Sequence, residues 1–410
     1  MQPAARAVPG DIDTSFGDSG LARYTLLPAD FHARAVLGPA GEINLVGTSD
    51  IDPTVLILGR LDADGGIAAG SGPRERARHT LVPGQSLNNV RCAMQPDGKI
   101  VAFGEYGSFA DSHPFFARFT AGGEMDMSFG ESGVVMIPDL WGRTGQNGGL
   151  AIQADGKIVA ASSGFTPDHE ELSALIRLEV DGRRDPGFGE RRNGIALEKR
   201  GNIKFFDLVL GQDGNILVCG FAVGGASVLS YTASGTPDNG FNQDGITTIP
   251  YVPDRYAHFA AMSLQPDGSV VAAGGTWEGG AAMAAGIMVR VDRSGQIDST
   301  FSGGEVILPD PLVDCVDVQV LSDGRIATLS MSTFGQEHAG VACWLPDGSA
   351  DFSFGNQGHV IVELPTQQEP LTRARLADLL PQTAATLLIG AYTAAPEDGK
   401  VSPILARLII

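Results

Sequence analysis

Basic residues are scarce. There are 28 Lys and Arg against 48 Asp and Glu, a formal charge of −20. Nucleic acid is therefore disfavoured as a partner, because Lys and Arg must displace phosphate counterions. Anionic membrane surfaces are disfavoured for the same reason. No long apolar run occurs, so no membrane insertion is expected. Cysteine is rare too: Cys92, Cys219, Cys315 and Cys343 form no C-x-x-C motif and no disulfide spacing. Free buried thiols in a reducing interior are expected. The opening stretch MQPAARAVPGDIDTSFG lacks the apolar core of a signal peptide. A cytoplasmic protein is expected, or one exported without a cleaved Sec signal.

Catalytic signatures are also missing. The sequence has no G-x-x-x-x-G-K-[ST], no H-E-x-x-H and no G-x-S-x-G, so phosphate cradles, zinc proteases and serine hydrolases are unsupported. Asp168-His169-Glu170-Glu171 reads as an exposed acidic loop. Asp62-Ala63-Asp64-Gly65 lacks the later ligands of a calcium loop. No cofactor and no metal site is expected.

What is abundant is turn chemistry and aliphatic sequence: 55 Gly, 24 Pro and 43% apolar residues in 410. The Gly shows no period of three, which excludes collagen. A longer period is plain. Six segments end in Asp-Gly or its equivalent at Gly41, Gly98, Gly156, Gly214, Gly268 and Gly324. A degenerate seventh, DLLPQTA, occupies 378–384. Each is followed by a short apolar run such as KIVAFG (99–104) or NILVCG (215–220), then by a third run such as FARF (116–119) or LIRL (175–178). A fourth element opens with Asp-x-x-Phe at Asp13, Asp126, Asp185, Asp238, Asp298 and Asp351; its copy near 69–73 is eroded.

Each run is short, aliphatic and bounded by Gly, Pro or Asp, which is strand chemistry. Asp-Gly between the first two runs signals a hairpin, because Gly supplies positive φ without a steric cost. Each unit is thus a four-stranded antiparallel meander, strands a to d. The sequence opens with a d-type strand after Asp13 and ends in a c-type strand, PILARLII (403–410). Pairing these two would complete a seventh sheet. The expected fold is all-β: a single domain over 1–410, a seven-bladed β-propeller of four-stranded blades. Its closing blade is split between the N-terminal strand and the C-terminal three strands. The Asp of Asp-x-x-Phe should accept backbone N–H groups, and the Phe should wedge between blades.

The pattern Asp-Gly-Lys-Ile-Val-Ala (97–102, 155–160), Ile-Arg-Leu-x-x-Asp-Gly (176–182) and Asp-x-x-Phe-Gly resembles the bacterial delta-60 repeat. The resemblance covers nearly the whole chain. It implies a β-propeller and no settled activity.

Repetition also sorts the loops. The a–b and c–d turns are nearly constant, and the b–c and d–a connections are not. In a meander the two variable sets share one end of the propeller, and variable loops on a rigid scaffold tend to carry function. Candidate binding-face residues there are Tyr106, His113, Trp141, Arg143, His169, Tyr256, His258, Trp277, His338 and Tyr392. Strand a should line the channel. Six residues before each Asp-Gly slot stand Arg34, Arg91, Gly149, Asp207, Ala261, Asp317 and Ala377, so Arg34, Arg91, Asp207 and Asp317 are candidates for a charged channel mouth. The expected role is binding rather than catalysis, with a protein partner on the variable face. A glycan-binding lectin using the tryptophans and tyrosines is the first alternative. An enzyme with a channel-mouth site is the second.

Overall fold

The computed structural model describes residues 8–23, 31–49, 52–67, 77–108, 111–140, 143–166, 168, 170–222, 224–250, 255–278, 282–308, 312–332, 335–363, 376–394 and 401–410. Their strands form seven four-stranded antiparallel sheets. The inner strands a of blades 1 to 7 are Phe31–Leu37, Ser86–Met94, Arg143–Ile152, Lys204–Leu210, Arg255–Leu264, Leu312–Val320 and Leu376–Thr383. Blades 1 to 6 each run a–b–c–d in sequence order. In blade 7 the outer strand is Leu21–Arg23, which pairs with Ile404–Ala406 of strand c. The N–H of Gly10 and of Asp13 donate to the carbonyls of Ile409 (2.8 Å) and Arg407 (2.8 Å), extending the zip. The split closing blade expected from sequence is present.

The core is divided among the blade interfaces. Seven apolar clusters lie one to each pair of adjacent blades, including blade 7 against blade 1. Strand b shows how one strand serves two of them. Ile100 and Ala102 face blade 1, while Val101 and Phe103 face blade 3. Successive side chains point to opposite faces, and both faces are covered, so b strands read as unbroken apolar runs.

The end carrying the a–b and c–d turns is built from one repeated device. Asp126 accepts from the Ser128 N–H (3.1 Å) and hydroxyl (2.6 Å) through Oδ1 and from Arg118 Nε (2.8 Å) through Oδ2. The Arg118 guanidinium lies 4.5 Å over the buried Phe129 ring and donates to the carbonyl of Val180 in the next blade. Arg177–Asp185–Phe188, Arg290–Asp298–Phe301 and Arg407–Asp13–Phe16 repeat the arrangement. The Phe packs on the c–d turn of its neighbour. At Gly182 (φ +89°) a Cβ would come within 3.0 Å of the Phe129 ring and 2.7 Å of the Gly130 N, so both the φ and the space require Gly. The Arg partner in strand c was not singled out from sequence. Blade 6 substitutes Arg325, from strand b's turn, for the Cys343 that occupies the Arg position.

Candidate site in the channel and at the variable end

The inner strands are irregular where the channel residues sit. In every blade except the first, the a–b register shifts at the channel position: just before it at Asn88/Arg91, Phe205/Asp207, Phe259/Ala261, Cys315/Asp317 and Leu376/Asp378, and around Gly149 at Asn147/Leu150. Such bulges re-aim the residue that follows and recur beside functional sites.

In blade 7 the channel residue is Asp378, not Ala377. The carboxylates of equivalent residues make one signature contact, accepting the N–H at the next blade's inner strand. Asp207 accepts from Met262 (3.0 Å), Asp317 from Leu379 (2.8 Å) and Asp378 from Ala35 (2.8 Å). This puts the seventh turn slot at Ala384-Ala385, one residue beyond the Thr383-Ala384 slot that spacing suggested. That turn has no Asp-Gly to mark it, so its register could not be read from the turn itself. A usable signal was nonetheless there: Asp-Leu-Val-Leu, Asp-Val-Gln-Val and Asp-Leu-Leu-Pro all begin at the channel Asp.

The ring therefore holds Arg34, Arg91, Gly149, Asp207, Ala261, Asp317 and Asp378. Arg34 Nη1 pairs with Asp378 Oδ1 at 3.2 Å. Asp317 Oδ1 also accepts from Gln319 Nε2 (3.2 Å). Gly149 leaves room for Asp207, since a Cβ would stand 2.7 Å from its Oδ1 and 2.3 Å from the Leu208 N. Arg91 differs from the rest: among the described residues it has neither a hydrogen-bond nor an ion-pair partner. Burial and the like charge of Arg34 lower it to about 10, while Asp207, Asp378 and Asp317 pull the other way. Those groups hold the equivalent inner-strand positions of blades 1, 4, 7 and 6, as Arg91 does on blade 2. Burial raises Asp207 against the pull of Arg91. Burial likewise lifts Asp317 to about 7, against the Leu379 N–H and helped by Asp207 and Asp378.

At the variable end the segments expected as b–c loops are largely strand. Ile100–Ser108 and Asp111–Phe119 leave two residues between them, and Val270–Glu278 and Ala282–Val291 leave three. Tyr106 and His113 thus face one another across a hairpin, rings 5.5 Å apart, with His113 Nε2 3.1 Å from Asp111 Oδ1. The residue preceding Tyr106, Glu105, is buried, raised by burial and held by Asn89 Nδ2 (2.9 Å).

Blade 5 carries the other described group. Tyr256 pairs across the strands with Trp277 and is 59% exposed. Trp277 stacks on buried His258 (4.5 Å, 13° between planes), and Phe206 meets the imidazole edge-on at 5.6 Å. His258 Nε2 lies 3.4 Å from Oδ1 of Asp314 on blade 6. That oxygen and His258 Nδ1 are both buried without a hydrogen-bond partner among the described residues. Asp314 has φ 44°, unusual for a non-glycine residue. It packs so closely on Gly275 that a Cβ there would lie 2.5 Å from its Oδ1. Burial raises Asp314 to about 7 and lowers His258 to about 4, the latter partly offset by the Gly275 backbone. Asp314 was not a candidate from sequence, because no other blade repeats it.

Trp141 and His169 lie outside the described residues. Arg143, His338 and Tyr392 fall in the strands Arg143–Ile152, Gly335–Trp344 and Thr386–Ala394, with side chains outside the described set. The structure brings Tyr256, His258 and Trp277 together and places Tyr106 with His113 three blades away. A groove of about 860 Å³ runs elsewhere, lined by His79, Leu81, Glu131 and Met136. Among the described residues no group of three His, Cys, Asp or Glu is placed to hold a metal, no helix is long and apolar enough to cross a membrane, and all four cysteines are unpaired.

Three stretches match a β-propeller family model. They are residues 95–129, 153–188 and 265–301, and the family is described as a domain of unknown function (DUF5122) beta-propeller. Each stretch runs from an a–b turn to an Asp-x-x-Phe motif. The matched stretches contain the repeated end but none of the channel residues. No curated protein matches the sequence. Among solved structures, the polysaccharide lyase Uly1 is similar at TM-score 0.50 and 10% identity, over 96% of this chain and 93% of that one. An unknown-function protein from Dyadobacter fermentans gives TM-score 0.49 and 12% identity, over 80% of this chain and 95% of that one. At 10% identity the likeness to Uly1 is one of fold.

Proposed function

We propose that the protein is a binding propeller, not an enzyme, and that it takes a small polar ligand in the channel below the variable loops. One observation carries this reading: Arg91 offers five N–H donors with no described partner to receive them, amid charged groups that are otherwise engaged. An uncommitted guanidinium is a recognition group for an acidic function. Asp207, Asp317 and Asp378 each spend one oxygen on the next blade's backbone, which suits fixed walls better than groups that shuttle protons. The repeat pattern fits the delta-60 type, with the repeated end as scaffold. The experiment is a thermal-shift screen of wild type and Arg91→Gln against soluble metabolites. A ligand should raise the wild-type midpoint and leave the variant unmoved. Equal shifts in both, or none in wild type, would reject the channel site.

A protein partner on the variable face is the second reading, favoured by the exposure of Tyr256 beside Trp277. The same pair could instead stack on a glycan. Against a broad apolar interface there, Ile12, Ile67, Met127, Val180, Ile297, Leu345 and Phe352, all exposed, belong to the repeated end. Capture from lysate, compared between wild type and a chain with residues 275–286 replaced, tests the protein reading; unchanged capture would reject it.

A further inference from the structure

We propose that the channel ligand is a small zwitterion of the α-amino-acid type, its carboxylate on Arg91 and its ammonium between Asp207 and Asp317. The inference rests on the channel reading above and adds the ligand's chemistry. The charges decide it. Arg34 and Asp378 are paired at 3.2 Å and cancel. What remains is one guanidinium without a hydrogen-bond or ion-pair partner among the described residues and two carboxylates: Asp207, with one oxygen tied to a backbone N–H, and Asp317, with one oxygen on a backbone N–H and the other on Gln319 Nε2.

A plain anion would gain from Arg91 and be repelled by both carboxylates. A plain cation would meet the reverse. A molecule carrying both charges satisfies both halves of the ring, and its ammonium supplies the donors that carboxylates accept. Neutral polyols would leave the guanidinium without a counter-charge, and so fit less well.

The test is calorimetric titration of the full chain with each of the common α-amino acids. Acetate, propionate and ethylamine serve as half-ligands. At least one amino acid should bind with one-to-one stoichiometry, and the half-ligands should not bind at the same concentrations. Arg91→Gln and Asp317→Asn should each weaken binding by at least about 30-fold, the scale for removing one partner of a desolvated charge pair. Arg91→Lys, which keeps the charge and loses the two-pronged contact, should fall between Arg91→Gln and wild type. Melting curves of each variant establish that it folds. The proposal is overturned if no amino acid binds, if acetate or propionate binds as tightly as the best amino acid, or if Arg91→Gln binds like wild type. A ligand found in the thermal-shift screen that needs Arg91 but is not a zwitterion would leave the channel site standing and end this inference alone.

Discussion

Asp126 and Asp314 are both buried aspartates of the same propeller, at opposite ends. Asp126 is surrounded by Ser128, Lys99 and Arg118, and although burial opposes them they hold its carboxyl well below the usual range. Asp314 has one imidazole 3.4 Å away and an oxygen with no hydrogen bond among the described residues, and burial alone lifts it to about 7. Arg118 and Arg91 differ in the same way: one is ion-paired, stacked and bonded to the next blade, the other has no described partner. Buried charge that recurs in blade after blade is compensated within the fold. Asp314 and Arg91 lack that compensation among the described residues, and groups of this kind concentrate where proteins bind or react.

The largest effect expected from breaking the repeated end is removal of residues 1–23. That segment supplies the fourth strand of blade 7 and the Asp13 and Phe16 partners of Arg407. Without it, blade 7 presents an open edge and the blade 7–blade 1 core loses Phe16 and Ala22. Cooperative thermal unfolding, followed by circular dichroism, should disappear. A truncated chain melting like the parent would show that the ring does not depend on this closure.

Next in size is the contrast between two arginines. Arg118→Ala should cost about 1–3 kcal/mol, since Asp126 loses one of two cationic partners and keeps Lys99 and Ser128, and Phe129→Ala should cost about 3–5 kcal/mol through the cavity it leaves. Arg91→Gln should cost less than Arg118→Ala, because no hydrogen-bonded or ion-paired partner among the described residues is lost. Urea unfolding measures all three. A large loss for Arg91→Gln would mean that it braces the channel, and the comparison drawn above would fail.

The pH dependence sharpens the picture at the variable end, where neighbours act in opposite directions. Asp317 and Asp314 titrate near 7 when folded and near 3.8 when unfolded. Between those values the folded chain holds protons that the unfolded chain has released, so their contribution declines as pH rises through the window. His258 titrates near 4 when folded against 6.5 unfolded, so its contribution declines as pH falls from 6.5 to 4. Asp314 and His258 therefore offset each other from pH 4 to 6.5. Asp314→Asn should make stability fall more steeply on acidification from 6.5, and His258→Gln should make it fall less steeply. Each changes the slope by at most about 1.4 kcal/mol per pH unit. Slopes that shift in the same direction would contradict the assignment.

Blade number, strand order and ring closure could be read from the sequence because six copies of a turn signal fix one another's register. The same redundancy hid the site. Asp378 was displaced by one residue where its turn lacked Asp-Gly. Glu105 and Asp314 occur once, so no pattern could mark them, and what distinguishes them is burial without full compensation, a property of packing. The loop aromatics were legible as residues but not as neighbours: pairing of the strands Arg255–Leu264 and Val270–Glu278 joins Tyr256 to Trp277, and blade position separates both from Tyr106. Arg91 lay between these cases. Its place on the ring followed from spacing, while its lack of a described partner required the other blades.

The smallest expected change in stability separates the two readings of the variable face. Tyr256 is 59% exposed, so Tyr256→Ala should alter stability by less than about 0.5 kcal/mol. Its effect on binding depends on where the partner sits. A small ligand held by Arg91 in the channel makes no demand on a side chain at the rim of blade 5, and its affinity in calorimetry should be unchanged. A protein or glycan resting on the Tyr256–Trp277 pair would lose an aromatic contact, and exposed aromatics that anchor an interface carry a large share of its energy. Unaltered small-ligand affinity together with lost protein capture would place two separate sites at one end of the propeller. Lost affinity for the small ligand would move its site out of the channel and onto the rim, and the contrast between Arg91 and Arg118 would then describe stability alone.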